Sequence, residues 1–163
     1  MDRVDVIILG GGLVGMTLAL ALDAGGLRCA LIDPMGDDQA LAENFDGRAS
    51  AIASASWRML EVLGVAAKLE PFGCAIRRIE VRDGLQSDAL DFSVAPDEEP
   101  LGTMLENRVL RRTLRAAVKA AAGVQLHIPD SAAHVERNAA GVSVLLKSGR
   151  TLNGALLIAA EGR

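Results

Sequence analysis

Val4-Asp5-Val6-Ile7-Ile8-Leu9-Gly10-Gly11-Gly12-Leu13-Val14-Gly15 joins a short Val- and Ile-rich run to a glycine cluster of the form G-x-G-x-x-G. The apolar run predicts a strand buried on both faces of a parallel sheet, ended by Gly10. Residues 13–24 are rich in Leu and Ala and lack Pro, which predicts a helix stopping at Gly25-Gly26. Residues 28–32 predict a second strand, closed by Asp33-Pro34. Strand, helix and strand within about 30 residues make a βαβ unit with parallel strands. Each glycine has a physical task there. Gly10 permits a tight turn, Gly12 has no Cβ to keep a pyrophosphate from the helix N-terminus, and Gly15 lets helix and strand approach closely. Asp33 is placed to accept hydrogen bonds from an adenosine ribose. The stretch therefore predicts a dinucleotide site.

The wider composition narrows the function classes. The chain has 163 residues and a net charge of -4, half of its residues are hydrophobic, and aromatics make up 2% with no Tyr. That length suits one domain with a sizeable core, and the hydrophobic share excludes an acidic disordered chain. Nucleic-acid binders usually show a basic excess, so a small-molecule partner is expected instead. With 27 Ala and few aromatics, the core must be built from Ala, Leu, Val and Ile. Cys29 and Cys74 form no C-x-x-C pair, which suggests neither a metal site nor a disulfide framework and fits a reducing, cytoplasmic setting. No apolar run approaches the roughly 20 residues needed to span a bilayer.

Further along, residues 34–47 are polar and loop-like, and residues 50–63 predict a helix with Ile52, Ala55, Met59, Val62 and Leu63 at helical spacing, ended by Gly64. Residues 75–95 alternate as strands around a Gly84 turn, predicting an exposed hairpin or small sheet. Asn107 is positioned to cap a helix reaching Ala122, with Leu110, Leu114, Ala117, Val118 and Ala121 on one side and a solvated basic stripe of Arg108, Arg112, Arg115 and Lys119 on the other. Residues 124–128 predict a third parallel strand. Residues 133–137, 142–146 and 151–153 predict a three-stranded antiparallel meander, and residues 155–160 a last buried strand. His127 and His134 read as structural or surface residues, Asp46 and Glu106 lack an acid-base partner, and no residue is nominated as catalytic.

The fingerprint is shared by sites for NAD, NADP and FAD. An acid at position 33 would repel a 2′-phosphate, which makes NADP the poorest candidate; between NAD and FAD the local motif is silent. The downstream organisation separates them, because a nicotinamide-binding domain would continue through further βα units, whereas here the third strand comes only at residue 124 and a meander precedes the last strand.

Four stretches now carry a resemblance: Gly10 to Gly15 with Asp33; Asp46-Gly47-Arg48-Ala49-Ser50 leading into Trp57-Arg58-Met59-Leu60-Glu61-Val62-Leu63-Gly64; Met104-Leu105-Glu106-Asn107-Arg108-Val109-Leu110; and Leu156-Leu157-Ile158-Ala159-Ala160-Glu161-Gly162. Together the chain resembles the N-terminal part of the FAD-dependent aromatic hydroxylases of the para-hydroxybenzoate hydroxylase family, above all the ubiquinone-biosynthesis hydroxylases that act on polyprenylated phenols. The resemblance implies an α/β, Rossmann-like FAD-binding fold with a parallel sheet, a βαβ motif and an antiparallel meander. It implies one FAD-binding domain over residues 1–163, with residues 75–105 a strand-rich insertion on the substrate side.

The same resemblance implies a flavoprotein monooxygenase in which NAD(P)H transiently reduces FAD and one atom of O2 reaches an electron-rich ring. Cofactor contacts would come from Gly10, Gly12, Leu13, Val14, Gly15 and Asp33, from Arg48 and Arg108 toward the phosphates, from the backbone at Ala132 toward adenine, and from Glu161. Arg108 would sit in a first helical turn, where a cation opposes the dipole unless an anion lies nearby. Two departures stand out. Glu161 occupies the place of the family's Asp in Ala-Asp-Gly, and the family's longer members carry a second half that completes the flavin pocket. The chain alone is accordingly expected to be inactive, with a dinucleotide-binding module lacking activity of its own as the alternative. A lipid substrate would bring peripheral membrane association, and an unfinished sheet would favour self-association through its apolar face.

Overall fold

The computed structural model describes residues 2–40, 47–84 and 89–162. In chain order the elements are β1 (Asp2–Arg3), β2 (Val6–Leu9), α1 (Leu13–Ala24), β3 (Cys29–Ile32), α2 (Asp37–Ala40), β4 (Ala49–Ala53), α3 (Ser54–Val62), α4 (Ala66–Leu69), β5 (Cys74–Ile76), β6 (Arg78–Arg82), β7 (Ala89–Ser93) and β8 (Gly102–Glu106). They continue with α5 (Asn107–Ala120), β9 (Val124–His127), β10 (Ala132–Asn138), β11 (Gly141–Leu146), β12 (Thr151–Gly154) and β13 (Leu156–Ala159). The chain divides into two compact units, Met1–Asn44 with Arg111–Arg163, and Phe45–Leu110.

The first unit is built on the predicted βαβ motif. Its parallel sheet has the order β13-β2-β3-β9, with Val6 opposite Cys29 and Ile32 opposite His127. The residues of β3 are all buried, as a near-continuous apolar strand in a parallel sheet should be. Helix α1 packs on this sheet through Met16, Ala19 and Leu20. The meander β12-β11-β10 forms a second sheet, extended by β1, which pairs parallel with β12. Val142, Val144, Leu146 and Leu152 of that sheet join Val4, Ile7, Ala30 and Ile32 in one buried aliphatic cluster. No aromatic side chain takes part, in keeping with the Ala-, Val- and Leu-based core expected from composition.

Two expectations in this unit need correction. The last strand is not buried throughout: β13 is an edge strand with one neighbour, and Leu156 is 54% exposed. Nor is the basic stripe of α5 wholly solvated, because Arg115 is only 4% exposed. Arg115 lies three residues from Val118, so the helical repeat carries it onto the apolar face rather than away from it.

The second unit contains a three-stranded antiparallel sheet, β4-β8-β5, and the separate hairpin β6-β7. The predicted helix over 50–63 is here a strand followed by a shorter helix. Ser50 and Ile52 are half-buried between exposed neighbours, a period of two, and β8 pairs with all five residues of β4. Sheet pairing overrides the helical preference of the alanines. In α3 the buried residue is Leu60, while Met59 and Val62 face outward. Gly64 does end the helical segment, with φ +71. The hairpin strands expected within 75–95 are present as β6 and β7, and every residue of both is exposed. Residues 75–105 supply β6, β7 and most of β5 and β8, all inside the second unit. Asp46 lies outside the described residues, as does most of the end of the 34–47 loop. Among the described residues no helix is long and apolar enough to cross a membrane.

Candidate functional site

The end of β2 and the start of α1 form the site, and the four glycines divide its work unequally. Gly10 turns the chain at φ +109, and a Cβ there would stand 2.5 Å from the Ala160 carbonyl oxygen and 2.9 Å from the Glu161 nitrogen. Gly15 touches the turn itself, since a Cβ would fall 1.9 Å from the Gly10 carbonyl oxygen. Gly12 differs: with φ -73 and ψ -172 it is the N-cap of α1, and a Cβ there would meet nothing within 4 Å. The space above the helix N-terminus is open.

That terminus is unsatisfied by side chains. No side chain caps α1 and no acidic residue occupies its first turn, although the first N–H groups of a helix have no partner within it. Gly12, Leu13 and Val14 thus present backbone donors and the positive end of a dipole to the open side, with Gly15 buried behind them, an arrangement suited to a pyrophosphate. Val14 is 71% exposed, so its apolar side chain does not cover these donors.

Asp33 sits at the carboxyl end of β3, and its carboxylate is fixed by the backbone. Oδ2 accepts the Gly11 N–H at 2.5 Å and Oδ1 accepts the Met35 N–H at 2.7 Å. This explains a glycine that sequence reasoning passed over. A Cβ on Gly11 would lie 2.8 Å from the Asp33 Cβ, so Asp33 can lean over the turn only because residue 11 has no side chain. The signal was legible: the variable position of G-x-G is itself Gly.

The β9–β10 connection closes on the same acid. The Asp33 N–H donates to the His127 carbonyl at 3.3 Å, and the Asp130 N–H donates to the Asp33 carbonyl at 2.9 Å. Asp130 in turn accepts the N–H groups of Ser131 and Ser148. The Ser148 hydroxyl, with those backbone donors, holds the Asp130 carboxyl below its ordinary range. Ala132 begins β10 two residues later, next to a register shift against β11. Glu161 follows β13 beside the turn, its side chain exposed, while the Ala160 N–H donates to the Leu9 carbonyl. The first unit therefore brings together Gly10, Gly12, Leu13, Val14, Gly15, Asp33 and the backbone at Glu161, with Ala132 one short loop away.

Arg48 and Arg108 belong to the second unit. The Arg48 carbonyl accepts the Asn107 N–H at 3.0 Å, and the Ser50 hydroxyl donates to Asn107 Oδ1 at 2.6 Å. These bonds join the strand after Arg48 to the start of α5. Arg108 pairs with Glu106, which supplies an anion to the cation in that first turn.

The description "FAD binding domain" matches residues 3–163. The chain belongs to this family. Ubiquinone hydroxylase UbiL from Rhodospirillum rubrum is 37% identical over 163 residues, which are 99% of this chain and 38% of that protein. The 3-demethoxyubiquinol 3-hydroxylase of Escherichia coli is 33% identical over 161 residues, 97% of this chain and 41% of the enzyme. The FAD-binding domain thus spans about two fifths of the length of these curated relatives. In fold it is similar to a mutant of PqsL from P. aeruginosa, with a TM-score of 0.79 at 24% identity over 98% of this chain and 43% of that one. It is also similar to the flavin-dependent monooxygenase PieE, solved with FAD and substrate, with a TM-score of 0.74 at 24% identity over 98% of this chain and 30% of that one. FAD is the cofactor of this domain, and the open, uncapped helix terminus fits its pyrophosphate.

Proposed function

We propose that this FAD-binding domain serves a flavoprotein monooxygenase that hydroxylates an aromatic ring in ubiquinone biosynthesis, with NAD(P)H as reductant and O2 as co-substrate. The observation that supports it most is the α1 N-terminus, uncapped and open above Gly12, beside a carboxylate already held in place at Asp33. The names of the similar ubiquinone hydroxylases favour a polyprenylated phenol as substrate, and such a lipid would draw the protein to a membrane surface.

In this reading Gly10 and Gly15 set the shape of the turn. The backbone N–H groups of Gly12, Leu13 and Val14 receive the pyrophosphate, where aligned donors and the helix dipole stabilise negative charge. Asp33 accepts from the adenosine ribose, using lone pairs that the Gly11 and Met35 N–H groups leave over. The backbone around Ala132 lies toward adenine, and residues 75–105 belong to the substrate side. Arg48 and Arg108 supply cations toward the phosphates, and Glu161 keeps a negative charge in the place of the family's Asp. Bound FAD supplies the redox chemistry, carrying reducing equivalents from NAD(P)H so that one atom of O2 reaches the ring.

The test begins with a titration of the chain with FAD, followed by flavin fluorescence, with NADH as the control ligand. Saturable binding of FAD and not of NADH is expected. In a protein that carries this domain at the full length of the relatives, NADH-dependent O2 consumption stimulated by a prenylated phenol is expected, and a folded, FAD-loaded protein that shows none with any phenol would leave only a dinucleotide-binding module. Single substitutions Arg48→Ala and Arg108→Ala should each weaken FAD binding; unchanged affinity in both removes them from the site.

A further inference from the structure

Arg115 projects from the middle of α5 between Leu114 and Val118, which are 2% and 0% exposed, and its own side chain is 5% exposed. A guanidinium so deeply placed needs an anion, because burying an uncompensated charge is costly. The anion is Asp37, whose Oδ1 accepts from Arg115 Nε at 2.8 Å and from Nη2 at 2.6 Å. Lys119, one helical turn further on, takes the other carboxylate oxygen. Asp37 is thereby held by two cations through both of its oxygens.

Its position in the chain gives this clamp a consequence. Asp37 follows Asp33 by four residues. The intervening Pro34 and Met35 are exposed, and Met35 is the residue whose N–H fixes Asp33 Oδ1. The turn is anchored at one end by β3 and at the other by Asp37. Only the guanidinium of this pair is buried, the Asp37 side chain being 38% exposed; an ion pair with a buried member is weak evidence for stability alone, and its best-attested use is to specify one arrangement.

We infer that Arg115 is a positioning residue for the adenosine end of the cofactor site, acting through Asp37 and the 34–36 turn to hold the Asp33 carboxylate where a ribose hydroxyl meets it. This rests on the FAD-binding reading. It assigns a role to Asp37, just beyond the acid of the fingerprint, and to Arg115, far from it in sequence and in a helix whose basic residues read as solvated.

The experiment measures affinity of the chain for ADP and for 2′-deoxy-ADP, with folding checked by circular dichroism. Wild type is expected to prefer ADP by about tenfold, the worth of one hydrogen bond to a charged group. Asp37→Asn is expected to reduce that preference to about two- to threefold, and Arg115→Lys, which keeps the charge and loses the two-pronged geometry, to an intermediate value. A clamp that is merely structural would lower the unfolding temperature and leave the ratio alone, so an unchanged ratio in a folded variant overturns the inference. Should Asp37→Asn fail to fold, the folded Arg115→Lys variant decides instead, and a ratio equal to wild type there overturns the inference. Failure of wild type to bind ADP or FAD at all would instead sink the cofactor reading, and this inference with it.

Discussion

Adjacent glycines in the turn offer a sharp test, because the structure gives them opposite tasks. At Gly11 an added Cβ would stand 2.8 Å from the Asp33 Cβ and 3.2 Å from its carboxyl carbon, so Asp33 or the turn must move. Overpacking of this kind costs about 1–3 kcal/mol, and the displaced carboxylate weakens its bond from the Gly11 N–H, worth about 1.5–3 kcal/mol if lost outright. Replacing Gly by Ala returns about 0.4–1 kcal/mol through the unfolded chain. The net for Gly11→Ala is about 2 kcal/mol, or about 4–8 °C in unfolding temperature for a chain of this size. Gly12→Ala meets nothing within 4 Å and has a φ of -73 that Ala adopts readily; the gain of about 0.4–1 kcal/mol through the unfolded chain opposes the N-cap preference for Gly over Ala, so its unfolding temperature without ligand should stay within about 4 °C of wild type. On the proposed reading, however, its Cβ fills the space that would take the pyrophosphate, and FAD affinity should fall at least about tenfold, the lower part of what overpacking costs. Thermal unfolding by circular dichroism and a flavin fluorescence titration read the two effects separately. If Gly12→Ala is the less stable variant, or binds FAD as wild type does, the division of labour argued here is wrong.

Gly15→Ala puts a Cβ 1.9 Å from the Gly10 carbonyl oxygen, a contact with backbone that no rotamer change relieves; a loss of at least about 3 kcal/mol is expected in urea unfolding. The two thiols should differ in reactivity: Cys74 is exposed, whereas Cys29 is buried, and burial, with a smaller push from Asp23, raises its pKa to about 11. A disulfide reagent at pH 8 should therefore modify one thiol per folded chain and two in urea. Because the fold favours the neutral Cys29 thiol, that contribution is complete below the unfolded value of 9.0 and is lost as pH rises toward about 11; Cys29→Ala should flatten this alkaline loss of stability. The Asp37 carboxyl is lowered, first by the Lys119 and then by the Arg115 hydrogen bond. Its contribution is present above the ordinary value of 3.8 and vanishes as pH falls through the lower folded value, so wild type and Asp37→Asn should differ in urea stability at pH 7 and converge in strong acid.

How far the sequence revealed this molecule depends on whether a feature is local. The βαβ unit was legible because glycine spacing, apolar runs and Asp33 all lie within residues 4–33 and agree with one another. The meander was legible for the same reason, with turns at residues 138–141 and 148–150 between short apolar strands. Residues 50–53 read as helix because their partner, β8, is some fifty residues away; Ser-Ala-Ile-Ala is ambiguous until something pairs with it. Arg115 was misread for a related reason. The repeat of α5 places it near the apolar face, yet only the distant Asp37 makes burial of a guanidinium tolerable. The loop contacts from His127 and Asp130 to Asp33 run through backbone atoms and leave no mark in residue identity.

Asp33 shows why such a site needs both kinds of information. Read from sequence it is a ligand group, an acid at the right distance from a glycine turn. Read from structure it is first a framework group: its carboxylate ties Gly11 to Met35, and its backbone ties β3 to the β9–β10 loop. The two readings do not compete, because an ionised carboxylate has about four acceptor sites and the backbone uses two. If Asp33 takes the ribose as proposed, fixing the carboxylate beforehand removes the cost of ordering it on binding, and that saving is largest for a side chain otherwise free to rotate in solvent. It follows that Asp33→Asn, which keeps one acceptor oxygen, should disturb the fold as well as the affinity: the amide cannot accept from both the Gly11 and Met35 N–H groups through separate oxygens, so one donor loses its partner. A variant with weakened FAD binding and an unfolding temperature unchanged from wild type would show that the framework role is dispensable and that Asp33 serves the ligand alone.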